Sequence, residues 1–344
     1  MSSGLPTIIA VPRLVYCFAR GRPKGPRANS MPHLAAPSAV KTELLEAARA
    51  RWDALLAGHP DLAPAVELQR RLLSHVIEQA DAIARGRLPR LSLPPRYLAA
   101  KLGRGVPVFA GEPIPIPVPQ LAPMLVALCR ELAEGGAGEA ADHIREKIES
   151  GDIDAGSLLV ASLSRDQHAI RAGAVHRGLA PDLVWLIAEL AVSPFAHALQ
   201  RSLFAQAVAP DHPLAAALAA WNHGYCAACG SWPALAEVAG GHRVLRCSFC
   251  ANAWELSTYA CVYCGDDGEG FVTAAPERPG EETRTDRRVE VCSACGGYLK
   301  AIDVAALSPF PLLAIADMES MSLDMAAMER GYGRPPLKEF AKKG

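Results

Sequence analysis

The chain has 344 residues, half of them hydrophobic, with 35 basic against 36 acidic side chains and a formal net charge of −1. That length allows two or three domains with a sizeable core, and so balanced a charge argues against a polyanion binder or a membrane-surface protein. Aromatic residues are sparse, Ala and Leu are abundant, and no run approaches the roughly 18 apolar residues of a membrane span. The composition therefore predicts a helix-rich protein without membrane insertion.

The first forty residues carry Arg13, Arg20, Arg22, Lys24 and Arg27 and no acid. Their apolar pieces, Ile8 to Val11 and Leu14 to Ala19, are divided by Pro12 and Arg13 and are too short for a secretory core. Residues 1–40 read as a disordered tail, or as an over-extended start with Met31 as the true initiator. A cytoplasmic setting follows. There, Cys-x-x-Cys pairs are more often metal ligands or redox centres than structural disulfides.

Residues 41–210 read as a helical domain. From Thr42 to about Ala57, Leu44, Leu45, Ala48, Trp52, Leu55 and Leu56 recur on one helical face. A second stripe runs through Val66, Leu68, Leu72, Leu73, Val76, Ile77, Ala80 and Ile83, with Gly86 as its stop. Residues 86–119 read as loop: Pro113, Pro115, Pro117 and Pro119 alternate with apolar residues and cannot form a central strand. Helices are predicted at about 120–134, 140–150, 155–163, 166–175 and 181–206. The last is apolar on more than one side, hence central, with a kink or break at Pro194.

Near Asp211 the character changes. Eight of the ten cysteines fall in four Cys-x-x-Cys pairs: Cys226/Cys229, Cys247/Cys250, Cys261/Cys264 and Cys292/Cys295. Short strands are predicted at Ala234 to Val238, Arg243 to Arg246, Ala253 to Ser257, Gly270 to Thr273 and Val289 to Val291, with a solvated loop over 274–288. Residues 303–344 read as a C-terminal helix, about 312–330, and a basic tail.

Two residues between cysteines put both sulfurs on one side of a tight turn, a knuckle suited to a tetrahedral metal. The residue after the second cysteine favours a left-handed backbone. Gly230, Gly265 and Gly296 supply it, whereas the second knuckle has Ala251. The gaps between pairs favour sequential grouping. Cys226, Cys229, Cys247 and Cys250 would form one site in a module over 221–258. Cys261, Cys264, Cys292 and Cys295 would form another over 259–302. A cross-braced grouping of first with third and second with fourth is the alternative. Closed four-cysteine sites offer no position to a substrate, so the metals read as structural. Sulfur ligation alone does not separate zinc from iron, and a thiol-redox or electron-transfer protein is the competing reading.

Ribbon-type modules also bind nucleic acids. Residues 221–300 hold ten acids and seven bases, and each divalent ion with four thiolates adds about −2, a poor match for phosphate. Arg243, Arg246, Arg284, Arg287 and Arg288 are left as a local patch, better read as solvated loop. Cys129 reads as a small buried hydrophobe and Cys17 as incidental. His176 and His197 read as core or surface residues, while His223 and His242 flank the first site as candidate donors to sulfur. Met318, Met321, Met325 and Met328 share one helical face, with core packing as the default and a soft docking surface as the sharper reading. No Walker loop, dinucleotide fingerprint or nucleophile with a placed base is present.

The knuckles in sequence context are Cys-Ala-Ala-Cys-Gly-Ser-Trp-Pro (226–233), Arg-Cys-Ser-Phe-Cys (246–250) with Trp254, Cys-Val-Tyr-Cys-Gly (261–265) and Cys-Ser-Ala-Cys-Gly-Gly-Tyr-Leu-Lys (292–300). Together with Ala316-Asp317, Leu323-Asp324 and Glu329-Arg330-Gly331-Tyr332, they resemble the formate dehydrogenase accessory protein FdhE family. The resemblance extends more loosely over the helices, including Ala50-Arg51 and Trp185. It implies an α+β multidomain protein: a helical N-terminal domain, two small rubredoxin-like or zinc-ribbon-like metal modules, and a C-terminal helix. It further implies a cytoplasmic, non-enzymatic maturation factor that binds the molybdenum- or tungsten-containing catalytic subunit of formate dehydrogenase. Iron, rather than zinc, is the metal the resemblance favours in the two sites.

Overall fold

The computed structural model describes residues 39–86, 93–205, 207, 211–277 and 286–340, with the backbone alone at 13–16, 33–34 and 276–277. It is an α+β structure: a helical N-terminal region, a mixed sheet carrying two four-cysteine clusters, and C-terminal helices. Beyond the strands at 13–16 and 33–34 and residues 39–40, the reading made for residues 1–40, Cys17 included, concerns positions outside the described residues, as does Arg284.

The helices of the N-terminal region are α1 (Lys41–Gly58), α2 (Ala63–Arg85), α3 (Pro95–Gly103), α4 (Val118–Leu132), α5 (Gly138–Glu149), α6 (Ala155–Leu163), α7 (Gln167–His176), α8 (Pro181–Ala205) and α9 (Pro213–Ala219). The stripe read on α1 buries Leu44, Ala48, Trp52 and Leu55, and that on α2 buries Val66, Leu73, Val76, Ile77 and Ile83. The Trp52 indole donates to Gln69 at 2.8 Å and so pins the two helices together. Helix α8 is long and apolar enough to cross a membrane by length and composition, but 61% of its most apolar stretch is buried inside the protein. It packs against α2, α4, α6 and α7, as a core helix that is apolar on several sides should.

Two helical expectations need correction. Pro194 neither breaks nor ends α8, which continues to Ala205. Proline leaves the carbonyl four residues back without its helical donor. Here the Ser193 hydroxyl donates to that carbonyl, Leu190 O, at 3.3 Å, which meets part of the cost. The second correction is α3, inside the segment read as loop. Pro95 sits in its first turn, where a missing N–H is harmless, and Leu98 and Leu102 are buried where α3 meets α9. Tertiary packing rather than length sustains so short a helix. The proline-alternating stretch that follows forms neither helix nor strand up to α4, with Ile114 buried.

The strands are β1 (Arg13–Tyr16), β2 (His33–Leu34), β3 (Pro233–Ala239), β4 (His242–Cys247), β5 (Ala253–Trp254), β6 (Phe271–Glu277), β7 (Arg287–Cys292) and β8 (Gly297–Val304). They form one sheet in the order β1-β6-β7-β8-β3-β4-β5-β2. Its seam is the parallel pairing of β3 with β8, Ala236 opposite Ala301, which joins the two cysteine modules edge to edge. Strand β8 is absent from the sequence reading, yet it is the element that connects them. The expected helix over 312–330 is two helices, α10 (Leu313–Glu319) and α11 (Met321–Met328). They meet at Ser320, whose hydroxyl bonds back to Ala316 O at 2.8 Å. The break divides the methionine face: Leu323, Ala326 and Ala327 are the buried side of α11, while Met328 is exposed.

Candidate metal centres

Each knuckle is a turn closed by a backbone bond from the residue after the second cysteine to the carbonyl of the first. These are Gly230 to Cys226 at 2.9 Å, Ala251 to Cys247 at 3.2 Å, Gly265 to Cys261 at 2.9 Å and Gly296 to Cys292 at 2.9 Å. The turn demands a left-handed residue at that position. Ala251 supplies it at φ 52° despite its Cβ, and Gly230 does so at φ 82°. All four knuckles therefore share one geometry, and Ala251 carries the steric cost of about 1–2 kcal/mol.

The sulfurs gather as Cys226, Cys229, Cys247 and Cys250 in one group and Cys261, Cys264, Cys292 and Cys295 in another, all within 4.8 Å of one another inside each group. In the first, Cys226–Cys250 and Cys229–Cys250 are 3.7 Å and Cys229–Cys247 is 3.4 Å. In the second, Cys261–Cys295 is 3.7 Å and Cys264–Cys292 is 3.6 Å. Four thiolates at about 2.3 Å from a tetrahedral ion stand about 3.8 Å apart, whereas a disulfide needs about 2.05 Å. The donor set and its spacing fit a four-coordinate metal.

The protonation energetics of the first group agree. Burial, reinforced by the neighbouring thiols, pushes Cys226 and Cys250 well above the ordinary thiol range. Burial also opposes the Cys229 thiolate, but hydrogen bonds from the other three sulfurs and the charge of Arg165 outweigh it and hold Cys229 well below that range. Burial thus opposes a negative sulfur at Cys226 and Cys250. Four thiolates in so dry a place require a metal charge.

The surroundings of the two groups differ. All four cysteines of the first are buried, whereas Cys264 and Cys295 of the second are exposed. The helical region covers both knuckles of the first. The Val108 and Phe109 amides donate to the Ala227 and Ala228 carbonyls, each at 2.8 Å. The loop bearing those amides is gripped by the buried Lys101 ammonium, which donates to Val108 O at 2.9 Å, to Ala110 O at 2.6 Å and to Glu112 at 2.6 Å. On the second knuckle, His197 Nδ1 lies 2.9 Å from the Cys250 carbonyl. A carbonyl only accepts, so Nδ1 carries the proton. Burial lowers this histidine to about 4, which keeps the ring neutral, and it stacks on Phe310 at 4.4 Å. The Arg165 guanidinium lies 4.0 Å over the Phe249 ring.

A further strap is the chain end. The Trp232 indole donates to Pro336 O at 2.9 Å, and the Lys338 ammonium lies 4.5 Å from the Tyr225 ring centroid. Gly230 packs so closely under Phe340 that any Cβ there would overlap its ring. Residues 336–340 thus close over the first module.

Behind the second group lies a charged network built from the sequence motifs that follow the last knuckle. Lys300 is fully buried on β8 and binds Asp317 at 2.7 Å and Asp324 at 2.6 Å. The Tyr298 hydroxyl donates to Asp324 at 2.9 Å, and Arg334 binds Asp324 at 3.0 Å. Tyr298, Lys300, Asp317 and Asp324 are thereby one clamp holding α10 and α11 against the sheet. Arg51 of α1 reaches the same helices, binding Glu319 at 2.6 Å and Leu312 O at 3.1 Å.

Other candidates fall elsewhere. His242 faces Glu255 at 3.4 Å, and His223 stacks on Tyr225 at 5.0 Å. His176 ends α7. Cys129 is buried in α4 and pushed up to about 12 by that burial. Arg243 and Arg246 are buried against Glu290 and Glu237, Arg288 binds Asp303, and Arg287 binds the Glu319 carbonyl. Sequence reasoning gave Arg165 and Lys101 no role and left His197 as an ordinary histidine. Arg165 and His197 reach the first module through tertiary packing, Lys101 holds the loop that contacts it, and none has a spacing signal.

No family model matches the chain. A curated relative from Haemophilus ducreyi, named Protein FdhE homolog, is 27% identical over 123 residues, 33% of this chain. The match spans 37% of that relative's length. Among solved structures, the crystal structure of the FdhE protein from Pseudomonas aeruginosa superposes with a TM-score of 0.54 at 22% identity, covering 89% of this chain and 96% of that one. Sequence and fold together support the resemblance to the FdhE family drawn from the knuckle motifs.

Proposed function

We propose that this chain is a cytoplasmic accessory factor that binds the catalytic subunit of formate dehydrogenase and is needed for its activity, without catalysing a reaction itself. The eight knuckle cysteines would hold two metal ions, with iron favoured by the family resemblance and zinc equally suited to the sulfur set. The observation that carries the reading is the pair of closed four-cysteine groups in an FdhE-like fold. A tetrahedral site filled by four protein sulfurs has no place for a substrate, so the modules are best used as rigid surfaces. Co-purification tests it. The tagged chain is expected to retain the catalytic subunit from cells that make formate dehydrogenase, and deletion is expected to abolish formate oxidation. Absence of both effects contradicts the proposal.

One observation favours a second reading, a rubredoxin-like electron-transfer or thiol-redox protein: Cys264 and Cys295 are exposed, so an electron partner can approach that edge. It predicts visible absorbance that a reductant bleaches reversibly, and zinc in both sites would sink it. A nucleic-acid role has weaker support, because Arg243 and Arg246 are spent on buried ion pairs.

A further inference from the structure

Between the helical region, both cysteine modules and the chain end lies a cleft of 490 Å³, within the range of small-ligand sites. Arg165 and Arg171 line it from the helical side, Trp232 from the first module, Tyr263 from the second and Arg334 from the terminal strap. Glu189 is the carboxylate among its lining residues. The walls therefore carry three guanidinium groups against one acid.

Arg165 is the unusual member. Its side chain is 6% exposed and bonds Glu189 through Nη2 at 2.5 Å. Nε and Nη1 are buried without a hydrogen-bond partner among the described residues. The guanidinium lies 4.6 Å over the Trp185 ring and 4.0 Å over that of Phe249, and its backbone holds a left-handed φ of 58°. A buried cation with donors unspent is costly, and strain at a non-glycine residue persists only where its surroundings enforce it. Arg171 and Arg334 are half-buried to exposed. Their carboxylate partners, Asp182 for Arg171 and Asp317 and Asp324 for Arg334, stand outside the cleft lining.

We propose that this cleft binds an acidic segment of a partner polypeptide. Guanidinium groups match carboxylates in planar, two-pronged bonds, and the charge of the walls calls for negative charge in the occupant. Trp232 and Tyr263, with Pro335, Pro336 and Leu337 beside them, add apolar lining that a free inorganic anion cannot use but an extended peptide can. The proposal rests on the reading that this chain binds a protein, and names where and through what chemistry.

The test uses the full-length, metal-loaded chain and fluorescence anisotropy with a short labelled peptide of alternating Glu and Ala. The same peptide with Gln for every Glu is the control, and inorganic phosphate is the competitor. The acidic peptide is expected to bind saturably and the Gln peptide about tenfold more weakly or worse. Arg171→Glu, a change on an exposed helix surface that leaves the packing intact, is expected to weaken the acidic peptide about tenfold, and Arg165→Gln to do likewise. Equal binding of the two peptides, no binding of either, or unchanged binding by Arg171→Glu overturns the proposal. Displacement of the peptide by phosphate at equal concentration also overturns it, in favour of a small-anion pocket. Because the peptides are free of any enzyme, these outcomes are independent of whether the formate dehydrogenase subunit co-purifies.

Discussion

The two cysteine groups have the same knuckles and nearly the same sulfur spacing, yet they sit in different environments. The first belongs to the main core: Cys226, Cys229, Cys247 and Cys250 are continuous with the buried residues of α1 to α9. The second rests on a smaller cluster of Ala274, Val289, Val291, Tyr298, Leu323 and Ala327, with Cys264 and Cys295 facing outward. Identical local chemistry can therefore serve two purposes. The first group fastens the sheet to the helices, and the second presents a sulfur-lined edge.

The widest separation of the two is expected from removing ligands. Binding energies of structural four-ligand metals run to about 10 kcal/mol or more, as large as the whole stability of a typical protein, about 5–15 kcal/mol. Cys226→Ser with Cys229→Ser is expected to leave no cooperatively folded chain, as read by circular dichroism on heating. Cys264→Ser with Cys295→Ser is expected to lose one metal by elemental analysis while the helical melting transition survives. Equal damage from both pairs would erase the distinction.

The next effect concerns what holds the second module. Lys300→Met removes the buried cation of the clamp and leaves Arg334 to serve Asp317 and Asp324. Breaking a buried ion pair from one side costs about 3–5 kcal/mol, so denaturant midpoints should fall accordingly. A loss below about 1 kcal/mol, the scale of exposed pairs, would mean that the clamp is solvated.

The smallest effect tests the shared knuckle. Ala251→Gly relieves a left-handed alanine and should stabilise the first module by about 1 kcal/mol, seen as a higher midpoint with unchanged metal content. Destabilisation would show that the methyl group, which is buried, packs for more than its backbone costs.

Much of this was legible in the residues. The Cys-x-x-Cys spacing marked the knuckles, and the apolar periodicity marked α1, α2 and α8. What escaped was non-local. Strand β8 carries Lys300 at its centre, a residue that reads as exposed until Asp317 and Asp324 arrive from two later helices. Helix α3 is too short for periodicity to show and exists because α9 covers it. Pro194 signalled a break that the Ser193 hydroxyl mitigates. Arg165 and His197 reach Phe249 and the Cys250 carbonyl across more than fifty residues of sequence, a distance no motif spans.

The most direct test of the two-environment account is timed thiol alkylation of the metal-loaded chain under mild chelation, read by intact and peptide mass spectrometry. The account predicts that Cys264 and Cys295 are modified first and that one metal leaves with them. Cys226, Cys229, Cys247 and Cys250 should stay protected, with the second metal retained, until the protein unfolds. Simultaneous loss of both metals with uniform labelling of all eight cysteines would contradict it.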